Sequence, residues 1–213
     1  TGTGNVRNFT DSNSANTHTI VTSTGAHTFS GTFTKSGTGT CQTNGTNSLT
    51  VTGVATVSAG TFGTSSSAFL ANSGGTSSSY GLTVNAATFT GGSAAHTIGS
   101  IDINNGATYT ATSGTTTVNG RQSGGTYFRW ANTGSNTFTH SSGTFSFTYT
   151  ATGAASELYA NITFNNWTMA HGAVVHSLYT ATTAKTMTVA GNLTATSGEL
   201  DCVFSAQPAV NLT

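Results

Sequence analysis

The sequence predicts an all-β fold and, within that class, a parallel β-solenoid (β-helix) built from coils of about 20 residues. Three observations lead there. The chain of 213 residues carries 48 Thr, 26 Ser and 27 Gly, with 12 Phe and 6 Tyr spread along it and a single Pro. Thr, Val, Phe and Tyr favour the pleated strand. Triplets of the form Thr-x-Thr recur with an apolar residue at x, and turn signals fill the intervals between them.

Each triplet specifies a strand with two faces. Alternate side chains of a strand point to opposite sides, so Thr-x-Thr turns x one way and both hydroxyls the other. The core-facing positions read in this way are Phe33, Val51, Phe89, Tyr109, Phe138, Tyr149 and Met187, each flanked by Thr. The triplets starting at 32, 50, 88, 108, 148 and 186 are separated by 18, 38, 20, 40 and 38 residues, near one or two multiples of 19 or 20. The triplet at 137 falls off that grid. Asn44-Gly45, Gly74-Gly75, Gly91-Gly92, Asn105-Gly106, Asn119-Gly120 and Gly124-Gly125 supply the turns. The glycine-free stretch from Ala173 to Ala190 is rich in Thr and Val and reads as strand, not helix.

A coil of this kind cannot bury its own apolar face, so neighbours stack and share one narrow core. Ten or eleven such coils at about 4.8 Å would give a rod about 50 Å long. A two-sheet β-sandwich or jelly roll also shows short strands with frequent turns, and composition does not separate the two. Residues 1–213 read as one repetitive β domain, expected to be a fragment or processed part of a longer fibrous protein.

Charge narrows the function. Lys plus Arg number 5, Asp plus Glu number 5, and the formal net charge is zero. Disordered chains usually carry high net charge and few aromatics, unlike this one. Nucleic-acid binding needs clustered basic residues, and five scattered ones make no patch. No apolar run approaches the ~20 residues of a membrane helix. Cys41 and Cys202 leave a single disulfide and two buried thiols both open. Six Asn-x-Ser/Thr sequons are no more than chance gives in so Thr-rich a chain.

"GAHTFSGTFTKSGTGT" (25–40), "AAHTIGSIDINNGATYTATSGTTTVNG" (94–120), "NTFTHSSGTFSFTYT" (136–150) and "KTMTVAGNLTATSGELD" (185–201) resemble the Thr/Gly/Asn-rich repeats of phage virion appendage proteins, of tail-fibre and decoration type, and of large bacterial surface adhesins. These stretches cover about a third of the chain. The resemblance implies a rod-like structural protein, extracellular or on the virion surface, that self-associates as a homo-oligomer or continues into flanking fibre domains. It supplies no catalytic residues. The Asp-rich calcium-binding pattern of some secreted β-rolls is missing.

Few residues offer chemistry. Asp11, Asp102, Glu157, Glu199 and Asp201 are the only acids, and only Glu199 and Asp201 stand close in sequence, on one face at i, i+2. A glycosidase pair needs carboxylates about 5–10 Å apart, but solubilising residues account for these two. His27 and His96 share an "AHT" context that suggests equivalent turn positions in two coils, and His171 and His176 are five apart. No Cys or carboxylate stands near enough in sequence to complete a metal set, so neither a metal nor another cofactor is expected, and neither is an enzyme. "GGTYFRWANTG" (124–134) is the densest aromatic cluster. Tyr127, Arg129 and Trp130 are its candidates for contact with a ligand or partner, such as a cell-surface glycan. Core and edge packing is the favoured explanation of the cluster, and more so of "FNNWTM" (164–169). The threonine ranks raise one further function, ice binding. Against it, an ice face should repeat Thr-x-Thr in consecutive coils, and the sequence near 69 and 128 lacks the triplet.

Overall fold

The computed structural model describes residues 6–72, 75–131, 135–149, 154–180, 183–202 and 210–213. Every ladder between its strands is parallel, and no helix occurs among the described residues. The chain winds as a β-solenoid of about seven turns with roughly 24 residues per coil. At about 4.8 Å per turn the stack is about 34 Å long.

Three short strands make one turn. Leu82–Val84, Thr88–Thr90 and His96–Ile98 form one coil, and Ile101–Ile103, Thr108–Thr110 and Thr115–Val118 form the next. Their in-register pairing defines three faces. Face 1 runs from Phe9–Asp11 through Phe33–Lys35, Ala55–Val57, Leu82–Val84 and Ile101–Ile103 to Thr126–Trp130 and Ala154–Leu158. Face 2 holds Thr17–Ile20, Thr40–Thr43, Thr61–Gly63, Thr88–Thr90, Thr108–Thr110 and Thr137–Thr139. Face 3 holds His27–Phe29, Leu49–Val51, Phe69–Ala71, His96–Ile98, Thr115–Val118 and Thr144–Phe147. The 14-residue strand Asn166–Tyr179 rounds a corner, pairing first with face 3 and then with face 1.

Inward residues stack in columns. On face 2, Cys41, Phe62, Phe89, Tyr109 and Phe138 are successive rungs. Phe89 stacks on Tyr109 at 5.0 Å and Tyr109 on Phe138 at 5.8 Å between ring centroids. On face 3, Val51, Ala71, Ile98, Val118, Phe147 and Met169 do the same. Phe33, Val51, Phe89, Tyr109 and Met187 are buried, while Phe138 and Tyr149 are half-buried against this core. Thr150 and Gly74 lie outside the described residues.

The coil length corrects the period of 20 and the count of ten or eleven coils. Coils range from 19 residues (Leu82 paired with Ile101) to 29 (Thr108 paired with Thr137). Insertions at the corners absorb the difference, because only the strands must stay in register. One insertion places Gly75–Ser77 beside Gly120–Gln122, a two-stranded annex outside the three faces. The triplets at 32, 50 and 88 sit on faces 1, 3 and 2, so most of their separations are hops between faces. The triplet at 137, off the sequence grid, pairs directly with the one at 108.

Corners are tight. Gly92 has φ +62°, and a Cβ there would run into the Ser65 carbonyl oxygen of the preceding turn. Glycine is the residue that takes this conformation without strain.

Candidate functional sites

On face 1, the outward side chains in register are Thr10, Thr34, Thr56, Thr83, Asp102, Arg129 and Glu157. The last three put a cation between two acids on consecutive rungs. Arg129 donates from Nε to Asp102 Oδ1 at 2.7 Å and from Nη2 to Asp102 Oδ2 at 2.6 Å. Its guanidinium also lies over the Tyr80 ring at 5.2 Å. Hydrogen bonds to Asp102 raise the Arg129 guanidinium above its ordinary value. Glu157 accepts from Thr126 Oγ1 and from the Tyr159 hydroxyl. Burial pushes the Tyr80 phenol up to about 12. The group is a cross-brace between coils, with Nε and Nη2 of Arg129 held by Asp102.

Tyr127 and Trp130, the other two candidates of the aromatic cluster, are buried. Neither therefore offers an exposed ring for the ligand or partner contact expected of the cluster. Trp130 follows from alternation, with Phe128 in, Arg129 out and Trp130 in. Tyr127 follows from a bulge in the ladder between Thr126 and Phe128, which turns it inward as well.

Tyr127 packs inside against a buried histidine pair. Its ring stacks on His176 at 5.7 Å, and its hydroxyl donates to the Tyr149 carbonyl at 3.0 Å. The same carbonyl lies 2.6 Å from His171 Nδ1, and His171 Nε2 lies 2.7 Å from His176 Nδ1. His176 Nε2 lies 2.9 Å from Ser156 Oγ. A carbonyl only accepts, so His171 carries its proton on Nδ1. Its Nε2 then accepts from His176 Nδ1–H, and His176 Nε2 accepts from the Ser156 hydroxyl. Burial lowers both histidines below their ordinary value and keeps them neutral. The chain looks like a serine–histidine pair, but Ser156, His171 and His176 are all buried in the stack. It satisfies polar groups within the core.

His27 and His96 each open a face-3 strand, which makes their positions equivalent. His96 is buried between Phe69 and Phe89, and burial lowers it to about 4. Glu199 and Asp201 lie two apart on Leu193–Asp201. Among the described residues no three His, Cys, Asp or Glu side chains converge as a metal-ligating group. Cys41 and Cys202 are free thiols. Among the described residues no helix is long and apolar enough to cross a membrane.

Face 2 carries an outward hydroxyl array. Thr17, Thr40, Thr61, Thr88, Thr108 and Thr137 form one unbroken rank, and Thr19, Gln42, Gly63, Thr90, Thr110 and Thr139 form the rank beside it. Phe69–Ala71 and Thr126–Trp130, which lack the triplet, belong to faces 3 and 1 and do not interrupt this surface.

The face-2 ladder then breaks. Thr137–Thr139 ends the six-stranded sheet, and Ile162–Phe164 begins a separate three-stranded sheet with Lys185–Val189 and Val210–Leu212. Consecutive coils are still held on either side of the break. Tyr159 N–H donates to the Trp130 carbonyl at 3.0 Å, and Asn165 Nδ2 donates to the Ser142 carbonyl at 2.8 Å. Between these corners the strands part, leaving a cleft of about 370 Å³ lined by Trp130, Asn136, Phe138, Asn161, Ile162, Thr163, Thr186 and Thr188. Sequence reasoning missed it, because the break is a property of pairing.

No family model, curated protein or solved structure matches this chain.

Proposed function

We propose that this chain is a non-enzymatic structural segment of an extracellular or virion-borne fibre. The observation that carries the reading is the continuous parallel stack. Backbone hydrogen bonds run along one axis through some seven turns, over an unbroken column of inward aromatic and aliphatic side chains. Load applied along such an axis is shared by three ladders up to Thr137–Thr139 and is carried past the face-2 break by the ladders of faces 1 and 3. The titratable groups support the reading too, since the Asp102–Arg129–Glu157 ladder and the histidine pair are spent on packing.

The ends favour continuation or self-association. The first turn, Phe9–Asp11 with Thr17–Ile20 and His27–Phe29, presents its edge strands beside an apolar pocket of about 520 Å³ that includes Phe9, Ile20, Val21 and Phe29. At the other end Leu193 is exposed. Among the described residues the outer edges of Phe9–Asp11 and Thr17–Ile20 carry no paired strand, and such edges pair with another chain or a capping domain, here a second copy or a flanking fibre domain. Immunogold labelling of the source particles or cells with antibody against the chain tests the proposal. Gold on appendages or surface fibres supports it, and gold confined to the cell interior overturns it.

A second reading is favoured by the face-2 array. An unbroken rank of uncharged hydroxyls, with a second rank beside it interrupted only at Gln42 and Gly63, suits a surface that orders water, and so ice binding. Thermal hysteresis at about millimolar protein that disappears in Thr90→Lys would support it, and zero hysteresis in the parent protein would end it.

A further inference from the structure

We infer that Asn105 is a self-modification site, where the backbone nitrogen of Gly106 deamidates its side chain to aspartate and isoaspartate. The inference is independent of the fibre reading. The sequence holds three Asn-Gly pairs, Asn44-Gly45, Asn105-Gly106 and Asn119-Gly120. Glycine has no Cβ to screen the attacking nitrogen, so the three pairs share one intrinsic chemistry. The fold treats them differently.

The reaction balances with water alone. The Gly106 nitrogen gives up its proton and bonds to Cγ of Asn105, and ammonia leaves. Water then opens the five-membered imide. Opening at Cγ gives aspartate, and opening at the main-chain carbonyl gives isoaspartate, with the backbone rerouted through the side chain. Either product adds one negative charge to a chain whose formal net charge is zero. The peptide between the two residues must first rotate until its nitrogen faces Cγ, so a pair locked by its surroundings reacts only through local opening.

Two pairs are locked. Asn119 N–H donates to the Ile98 carbonyl at 3.1 Å, and Gly120 N–H donates to the Gly99 carbonyl at 2.8 Å, which commits the attacking nitrogen. Gly120 is buried and opens the annex strand Gly120–Gln122. Asn44 Oδ1 accepts from the Thr22 backbone N–H at 3.2 Å, which holds the carboxamide against the preceding coil. Gly45 is wedged between coils. Its carbonyl accepts from Ser67 Oγ at 2.7 Å, and a Cβ on it would run into the backbone of Thr22 and Ser23.

The third pair rounds the corner from Ile101–Ile103 on face 1 to Thr108–Thr110 on face 2. Asn105 and Gly106 are both exposed. They are the central residues of a turn that the Ala107 N–H closes on the Asn104 carbonyl at 3.1 Å. Bonds to the preceding coil stand on either side, from Asn104 N–H to the Val84 carbonyl and from Thr108 N–H to the Ala87 carbonyl, both at 2.9 Å. Gly106 has φ +76°, and a Cβ there would meet nothing nearer than 3.5 Å. The peptide between Asn105 and Gly106 therefore has room to rotate while both flanking bonds stay made.

The test is prolonged incubation of the native protein at mildly alkaline pH, followed by chymotryptic peptide mapping. Cleavage at Leu49 and at Tyr109 separates the three pairs, and each conversion reads as a mass gain of about one dalton. Conversion at Asn105 should run at least about tenfold faster than at Asn44 or Asn119. In denaturant the three rates should converge to within about threefold, because only the fold distinguishes the pairs. Asn105→Gln lengthens the side chain and disfavours the five-membered ring, so it should remove the early acidic species seen by isoelectric focusing. A native margin below tenfold, or conversion led by Asn44 or Asn119, would overturn the assignment. So would a native margin that persists in denaturant, or an acidic species that survives Asn105→Gln.

Discussion

His176 Nδ1 lies 2.7 Å from His171 Nε2, and both imidazoles are buried in the stack. The contact requires one bare nitrogen facing one N–H, so it exists only while His171 is neutral. Protonating either ring sets a charge against its neighbour, and among the described residues neither ring hydrogen-bonds to an acid. The pair ties the strand Asn166–Tyr179 to the carbonyl of Tyr149 and to Ser156 on face 1.

Stability should therefore fall on acidification. His96, His171 and His176 all have folded values below the ordinary 6.5, His96 at about 4. The unfolded chain then binds more protons than the folded one below pH 6.5, so stability is lost as the pH falls through that value, for His96 down to about 4. The slope should reach about 1.4 kcal/mol per pH unit for each histidine. Urea midpoints at pH 7.5, 6 and 5 measure it, and His96→Phe should make the slope shallower by about one proton. A midpoint constant from pH 7 to 4.5 would contradict the neutral assignment.

Breaking the face-1 brace should cost more than an ordinary surface pair. Asp102 has 4% of its side chain exposed and Arg129 33%, so truncating the arginine leaves a buried carboxylate without its partner. Buried pairs broken from one side lose about 3–5 kcal/mol. With the guanidinium a third exposed, Arg129→Ala should lose about 2 kcal/mol. Arg129→Lys keeps the charge but not the two-pronged geometry, so it should recover only part of this. Asp102→Asn in the Arg129→Ala background should recover stability, since the orphaned charge is then gone. Denaturant melts of the parent, the Arg129→Ala and Asp102→Asn single variants and the double variant decide this, and additive losses would refute the pairing.

How much of this was legible before folding follows from the alternation itself. Period-2 patterning reports which side chains turn inward, and it placed Phe89 and Tyr109 in the core. It carries no information on which of three faces a strand joins. Triplets from faces 1, 2 and 3 therefore looked like one series and suggested a coil near 20 residues instead of roughly 24. Alternation likewise contained the inward placement of Trp130, two residues from Phe128, although a dense aromatic cluster suggests a surface patch. The inward turn of Tyr127 was hidden, because it depends on a ladder irregularity opposite Ala155 and Ser156. The cleft was hidden for a similar reason: no local pattern marks the point where Thr137–Thr139 and Ile162–Phe164 fail to pair.

Gly92 offers a test of coil-to-coil contact. Alanine at φ +62° is strained, and its methyl group would meet the Ser65 carbonyl of the preceding turn. A left-handed non-glycine residue costs about 1 kcal/mol or more, and the clash adds to that, so Gly92→Ala should lower stability by about 2–4 kcal/mol. Gly25, with nothing within 4 Å of a built Cβ, is the control, and Gly25→Ala should be nearly neutral. Equal melting temperatures for the two variants would mean that the turns are not in contact at Gly92.

The two thiols should separate by reactivity. Cys41 is an inward rung of the face-2 column between His18 and Phe62 and is fully buried, whereas Cys202 is half-buried just beyond the last face-1 rung. Burial, with Asp11 adding to it, pushes the Cys41 thiol up to about 12, and burial with Asp201 raises Cys202 as well. Thiolate is the reactive form, so both are slow at neutral pH, and access distinguishes them. Native protein treated with a maleimide should incorporate one label, at Cys202, and a second at Cys41 only in denaturant. A single stack also keeps the two cysteines near opposite ends, far beyond the ~7 Å that a disulfide allows, so oxidation should yield no bridge within one chain. Peptide mapping that finds Cys41 labelled in the native protein, or joined to Cys202 of the same chain, would mean that the column through Cys41, Phe62 and Phe89 is not packed.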